Sequence, residues 1–306
     1  MGDLLLPSAK PPAHPAGIRA NLPSAMSKAG HQRELLPGAV EKRVLRCDGV
    51  RLDEAGDMVA AEVPVAFAVN GAPFAVMMAT PADLDDFALG FALGEGIVER
   101  ADELVVESIE ESLEGVSIAL KVPAGRAAVL ETRRRNLEGR SGCGLCGMAR
   151  IEAVLRPPPP VGAGRDIRPA ALERALRELH DLQPLNALTG ATHAAGWAGA
   201  DGSVALVRED VGRHNALDKL VGAIAHAGID PQAGFAVATS RASYEMVMKA
   251  AQAGIPLLAA ISAPTALAIA LAESSGLTLV GFARGQGHVA YAHPGRLHGP
   301  AAEAAA

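Results

Sequence analysis

Four consecutive prolines, Pro157 to Pro160, split the chain into two parts that can share neither a helix nor a central strand. Proline donates no backbone hydrogen bond and its ring fixes φ, so such a run stiffens into an extended connector. Beyond it, apolar runs of strand length alternate with helix patterns of about ten residues, which is how α/β layer folds read. Helices are expected at 169–180, 244–253 and 264–274, and another carries the stripe Leu217, Leu220, Val221 and Ile224. Strands are expected at 192–198, 203–209, 235–239, 256–261 and 277–282. This alternation predicts βαβ crossovers and a mostly parallel sheet.

The part before the prolines reads as β-rich. Asn70-Gly71 separates two apolar runs within 63–79, and that dipeptide accepts the positive φ angles of a tight hairpin turn. Thr80-Pro81-Ala82-Asp83 then offers a helix N-cap, a first-turn proline and an acidic residue. Leu84, Phe87, Ala88 and Phe91 recur at helical spacing, predicting a buried face that ends near Gly94 or Gly96. Further strands are expected around 103–108, 116–122 and 127–131. Residues 1–40 are rich in Pro, Ala, Gly and Ser without sustained period and read as a flexible extension. The expected organisation is therefore an extension (1–40), a β-rich domain (41–156), a Pro/Gly linker (157–168), an α/β domain (169–296) and a flexible tail (297–306).

A net charge of -6 argues against broad electrostatic binding to nucleic acid or anionic lipid, so an anionic ligand needs a local basic cluster. No run of about 18 apolar residues predicts a membrane span. Three cysteines, Cys47, Cys143 and Cys146, form no disulfide framework and point to a reducing, cytoplasmic setting. Cys47 reads as a packed small hydrophobe and Trp197, the single tryptophan, as a core residue.

The sharpest chemical feature is Cys143-Gly144-Leu145-Cys146, flanked by Gly142 and Gly147. Six arginines (126, 133, 134, 135, 140 and 150) against Glu131 and Glu138 surround it, which favours thiolate over thiol. Four readings stay open. The pair could be ordinary loop cysteines, a dithiol redox centre, a zinc site borrowing His193 and His214, or a sulfur carrier that holds sulfane sulfur as a persulfide. A zinc nucleobase deaminase does not fit, because Gly142 replaces the proline of its motif and His14 and His31 lack the accompanying glutamate.

A second cluster lies at strand ends in the α/β part. Ser240-Arg241-Ala242-Ser243, Ser262-Ala263-Pro264 and Phe282-Ala283-Arg284-Gly285-Gln286-Gly287 each follow an apolar run. If those strands are parallel, the three stretches share one sheet edge, where loop amides and helix N-termini converge on ligands. Arg241 and Arg284 could then grip phosphate bidentately, while the serines could equally be helix caps. Glu209 to Lys219 (EDVGRHNALDK) places Arg213, His214 and Asn215 at a helix start, facing either solvent or this crevice.

GCGLCG, EDVGRHNALDK and TSRASYEMVMKAAQAGIP, in this order, resemble the FdhD family of formate dehydrogenase accessory sulfurtransferases, from about Ala61 to Arg296. The resemblance implies a homodimeric sulfurtransferase with a cytidine deaminase-like, three-layer α/β domain that lacks zinc. It implies that sulfur comes from a cysteine desulfurase and passes to the bis-molybdopterin guanine dinucleotide form of the molybdenum cofactor, for formate dehydrogenase. Cys143 would carry the persulfide with Cys146 assisting. Phe282 to Gly287 would hold the cofactor, joined by Ser240, Arg241 and His214, with GDP as an analogue. After Arg284 the chain departs from the family's bulkier polar stretch. A cofactor chaperone that transfers no sulfur, and a zinc or dithiol redox protein, are the alternatives.

Overall fold

The structure, a computed structural model, describes residues 36–126, 158–285 and 287–298. Cys143, Cys146, the surrounding arginines from Arg133 on, the strand expected at 127–131, Gln286, the first 35 residues and the tail beyond His298 lie outside these.

The chain enters as a two-stranded antiparallel ribbon, β1 (Ala39–Asp48) and β2 (Arg51–Ala60). Cys47 sits near its tip and is exposed, not packed as expected: a lone two-stranded ribbon has no second layer to bury it. β3 (Val63–Val69) and β4 (Ala72–Ala79) then form the predicted hairpin, with Asn70 and Gly71 at φ 49° and 78°. With β5 (Val105–Glu111) and β6 (Val116–Lys121) they make a four-stranded sheet in the order β4-β3-β6-β5.

Helix α1 (Leu84–Gly94) covers this sheet. Phe87, Ala88 and Phe91 are buried, and the Phe67 and Phe91 rings stack at 4.2 Å. Thr80 is not its cap. Asp83 holds that place in a left-handed conformation (φ 52°) without a side-chain capping bond, because Thr80 is drawn into the interior: its N–H donates to Asp210 Oδ2 at 2.9 Å and its hydroxyl accepts from Val211 N at 3.2 Å.

The second half builds a six-stranded sheet ordered β12-β11-β10-β9-β7-β8. Its strands are β7 (His193–Gly199), β8 (Val204–Asp210), β9 (Gly234–Ala238), β10 (Leu257–Ala260), β11 (Thr278–Arg284) and β12 (Gly287–Ala292). Only β9-β10-β11 pair in parallel; β7-β8, β7-β9 and β11-β12 are antiparallel. The sheet is thus mixed where the alternation predicts a mostly parallel one. Helix α2 (Pro169–Asp181) seals one face with Leu172, Ala175 and Leu179 against Phe235, Val237 and Val280. A short helix, α3 (Pro184–Thr189), follows it. The opposite face is covered by α4 (Arg213–His226), α5 (Tyr244–Gln252) and α6 (Ala266–Ser275), whose apolar stripes meet Trp197, Ala236 and Leu258.

The two parts are joined through α1 and α4. A Cβ on Gly90 would overlap the Asp218 carbonyl oxygen and one on Gly222 that of Asp86, so glycine on both helices permits this close approach. The Pro/Gly stretch expected as a linker is held down near its end. Arg296 donates to the carbonyls of Gly162 (2.8 Å), Ala163 (2.6 Å) and Gly276 (2.8 Å), while Ile167 bridges to Leu297. Among the described residues no helix is long and apolar enough to cross a membrane.

Candidate functional site

Parallel pairing of β9, β10 and β11 forces their C-terminal ends to one edge of the sheet, and the loops there are stitched together. Ala242 bridges Pro264, Thr265 N donates to the Ala242 carbonyl at 3.0 Å, and Phe282 N donates to the Ser262 carbonyl at 3.1 Å. The three polar stretches therefore meet, as the sequence predicts. Helix α4 starts beside them: His214 Nε2 lies 3.2 Å from Ser243 Oγ and 2.7 Å from Glu245 Oε2.

The individual residues divide by burial. Arg241, Phe282, Arg284, Gly285 and Gly287 are exposed, Ser262 likewise, whereas Ala283 points into the core. Ser240 is buried and its hydroxyl donates to the Arg241 carbonyl at 3.0 Å. Ser243 occupies the N-cap position of α5 but makes no capping bond, its hydroxyl being turned to His214. Thr265, in contrast, caps α6 by accepting from Ala268 N at 3.3 Å.

Phe282 is held at φ 51°, a left-handed conformation that disfavours side chains, at a register shift between β11 and β12. Phe282 is 38 % exposed, and the Arg284 guanidinium lies over its ring at 5.8 Å. Strain of this kind persists only where surrounding structure imposes it, and it collects at ligand sites.

The electrostatics are cationic. Arg213 Nε is buried without a hydrogen-bond partner. Burial and then the nearby Arg241 lower the Arg213 pKa, with Glu245 opposing. Burial, followed by Arg213 and His214, holds His193 below the ordinary imidazole value. Glu245 is held below the usual carboxylate range by its hydrogen bond from His214, against the effect of burial. Arg213, Arg241 and Arg284 have no carboxylate at ion-pair distance among the described residues, so this sheet edge carries guanidinium groups available to an anion.

A model of the FdhD/NarQ family matches residues 60–298. The chain belongs to the FdhD/NarQ family. A protein of Xanthomonas euvesicatoria pv. vesicatoria named sulfur carrier protein FdhD is 64% identical over 265 residues, covering 87% of this chain and 94% of the relative. One of the same name from Variovorax paradoxus is 51% identical over 275 residues, covering 88% and 98%. The crystal structure of a protein assigned as a formate dehydrogenase accessory protein, from Desulfotalea psychrophila, matches with a TM-score of 0.65 at 26% identity, covering 86% of this chain and all of that one.

In this FdhD/NarQ chain the EDVGRHNALDK stretch is mostly scaffold, which its apolar stripe conceals. Glu209 accepts from Leu185 N (2.9 Å), Asn186 N (2.7 Å) and Thr192 Oγ1 (3.0 Å), anchoring the start of α3. Asp210 and Lys219 pair at 2.7 Å, both wholly buried, and Asp218 meets Lys249, itself paired to Glu95 at 2.7 Å. Of the stretch, His214 contacts Ser243 and Glu245 at the sheet edge, and Arg213 lies near Arg241 and Glu245. Glu245 is the site residue that sequence reasoning missed, since an acid in the first turn of a helix is ordinary dipole compensation.

Proposed function

We propose that this chain accepts sulfur from a cysteine desulfurase as a persulfide on Cys143, assisted by Cys146, and passes it to the bis-molybdopterin guanine dinucleotide cofactor destined for formate dehydrogenase. The observation that carries this reading is the 64% identity, over nearly the whole length, to a protein named sulfur carrier protein FdhD. The Desulfotalea protein's assignment as a formate dehydrogenase accessory protein supplies the client.

In the loading step the Cys143 thiolate attacks the outer sulfur of the desulfurase persulfide. A new S–S bond forms at Cys143 and the desulfurase cysteine leaves as thiolate. Arginines surrounding the motif in sequence favour the ionised nucleophile. The cofactor, as substrate, fits the crevice chemically: its pyrophosphate groups need donors, and Arg213, Arg241 and Arg284 are donors without carboxylate partners among the described residues. Phe282 and Arg284 at the strained strand end offer a flat face for guanine. The same reading takes the protein to be a cytoplasmic homodimeric sulfurtransferase with a deaminase-like α/β core.

Intact-mass analysis after incubation with a desulfurase and cysteine tests the loading step. A sulfur adduct on the Cys143 peptide, absent from Cys143→Ala, is expected. A chain that stays unmodified while the desulfurase turns over would remove the sulfur-carrier reading.

A further inference from the structure

Around the start of α4, Arg213 and Arg241 lie near His193, His214 and Glu245, and both nearby carboxylates are engaged, Glu245 by His214 and Asp210 by Lys219. Glu245 stands in the first turn of α5 with Oε2 2.7 Å from His214 Nε2, and the same nitrogen is 3.2 Å from Ser243 Oγ. Arg213 precedes His214 on α4 and has Arg241 and Glu245 as its charged neighbours, yet its Nε is buried without a partner. A second guanidinium and the positive end of the α4 dipole both disfavour a cation there. A buried donor without an acceptor is costly in any case. An anion at the solvent-facing end of the guanidinium would offset both charge effects, and among the described residues Glu245 is the acid that acts on Arg213.

We propose that Arg213 is the anchoring donor for a phosphate or pyrophosphate group in this crevice, and that His214 keeps it available by occupying Glu245, the carboxylate that would otherwise neutralise it. The inference rests on the crevice being the phosphate end of the cofactor site, and it adds a positioning pair to that site. Carboxylate and phosphate compete for the same guanidinium fork, so a Glu245–Arg213 ion pair would close the site from within. His214 prevents this geometrically: bonded to Glu245 across the gap between α4 and α5, it holds the carboxylate away from Arg213. His193, whose pKa is held down by burial and by Arg213 and His214, favours its neutral form and leaves the anion to the guanidinium groups.

Calorimetric titration of the full chain with inorganic pyrophosphate at low salt tests this. The unaltered chain should bind, and Arg213→Gln should weaken binding by roughly tenfold or more, the worth of a charge-assisted hydrogen bond. His214→Ala should weaken it by a similar factor, because Glu245 is then free to pair with Arg213. Adding Glu245→Gln to His214→Ala should restore affinity to within roughly threefold of the unaltered chain. A histidine needed only for folding, or only for its own contact with the anion, would not be rescued in this way. Should Arg213→Gln not fold, Arg213→Lys, which keeps the charge but loses the fork, carries the same comparison. Absence of pyrophosphate binding, full binding by the Arg213 variant, or a double variant as weak as His214→Ala would each overturn the proposal. Sulfur loading of Cys143 in the unaltered chain is scored separately, so failure of the sulfur reading is distinguishable from failure of this one.

Discussion

Removing one member of the buried Asp210–Lys219 pair should nearly unfold the protein, while removing both should be tolerated better. The two side chains are fully buried at 2.7 Å. Asp210 also accepts from Thr80 N (2.9 Å), Gly212 N (2.7 Å) and Asn215 Nδ2 (2.9 Å), and Lys219 donates to the Thr80 carbonyl at 2.9 Å. Lys219→Met strands a buried carboxylate, which costs about 3–5 kcal/mol. Asp210→Asn strands the ammonium at similar cost, and it turns an amide N–H2 toward the Thr80 N–H, adding about 1–3 kcal/mol for an unsatisfied donor. Either figure is a large part of a typical total stability of about 5–15 kcal/mol. In the double variant no charge is left unpaired, so its cost should fall short of the sum of the singles by about 2 kcal/mol or more. Urea unfolding followed by fluorescence of Trp197, the sole tryptophan and 6 % exposed in the core that includes α4, measures all three. Additive costs, or a single variant losing under about 1 kcal/mol, would refute the view of this pair as the pin that joins β8 and α4 to Thr80.

Three further outcomes follow from the same geometry. Gly90→Ala, which ordinarily strengthens a helix, should lower the urea midpoint by forcing α1 away from the Asp218 carbonyl; a raised midpoint would contradict the close packing. Phe282→Gly should relieve about 1–2 kcal/mol of left-handed strain yet reduce the thermal stabilisation by GDP that the proposed cofactor site predicts; a variant that gains no stability and binds GDP as the unaltered chain does would refute both roles. Burial, only partly offset by Lys249, pushes the Asp218 carboxyl up from 3.8 to about 7. The stability contributed by its protonated form is complete below 3.8 and is lost as pH rises through about 7, so Asp218→Asn should flatten the decline of the urea midpoint across that window. An unchanged decline would place the buried proton elsewhere.

What the sequence disclosed was governed by local chemistry. The Asn70-Gly71 hairpin was legible because its backbone angles demand such residues, α1 and α4 were legible from apolar spacing, and α2, α5 and α6 from the alternation of helix-length and strand-length stretches. Thr80 misled because its partners, Asp210 and Val211, lie 130 and 131 positions away, and no cap rule anticipates a distant carboxylate. Strand direction is likewise invisible to alternation. β7 and β8 form a hairpin, and the only local hint was Asp201-Gly202 in the short connection between them, Gly202 at φ 84°. The short α3 and the edge strand β12 were missed because one spans six residues and the other carries too little apolar pattern. Convergence of the Ser240, Ser262 and Phe282 stretches was legible because three parallel strands must end together. The engagement of Glu245 by His214 was not, since it joins two helices whose packing the sequence does not state.

The most direct test of the sulfur relay is a chase. The chain is loaded with sulfur-35 from labelled cysteine by a desulfurase, isolated, and mixed with the molybdenum cofactor, and the label on the cofactor is then counted. Label that leaves Cys143 and appears on the cofactor is the predicted result. Label that stays on the chain while the cofactor binds would contradict sulfur transfer and leave a cofactor chaperone in its place.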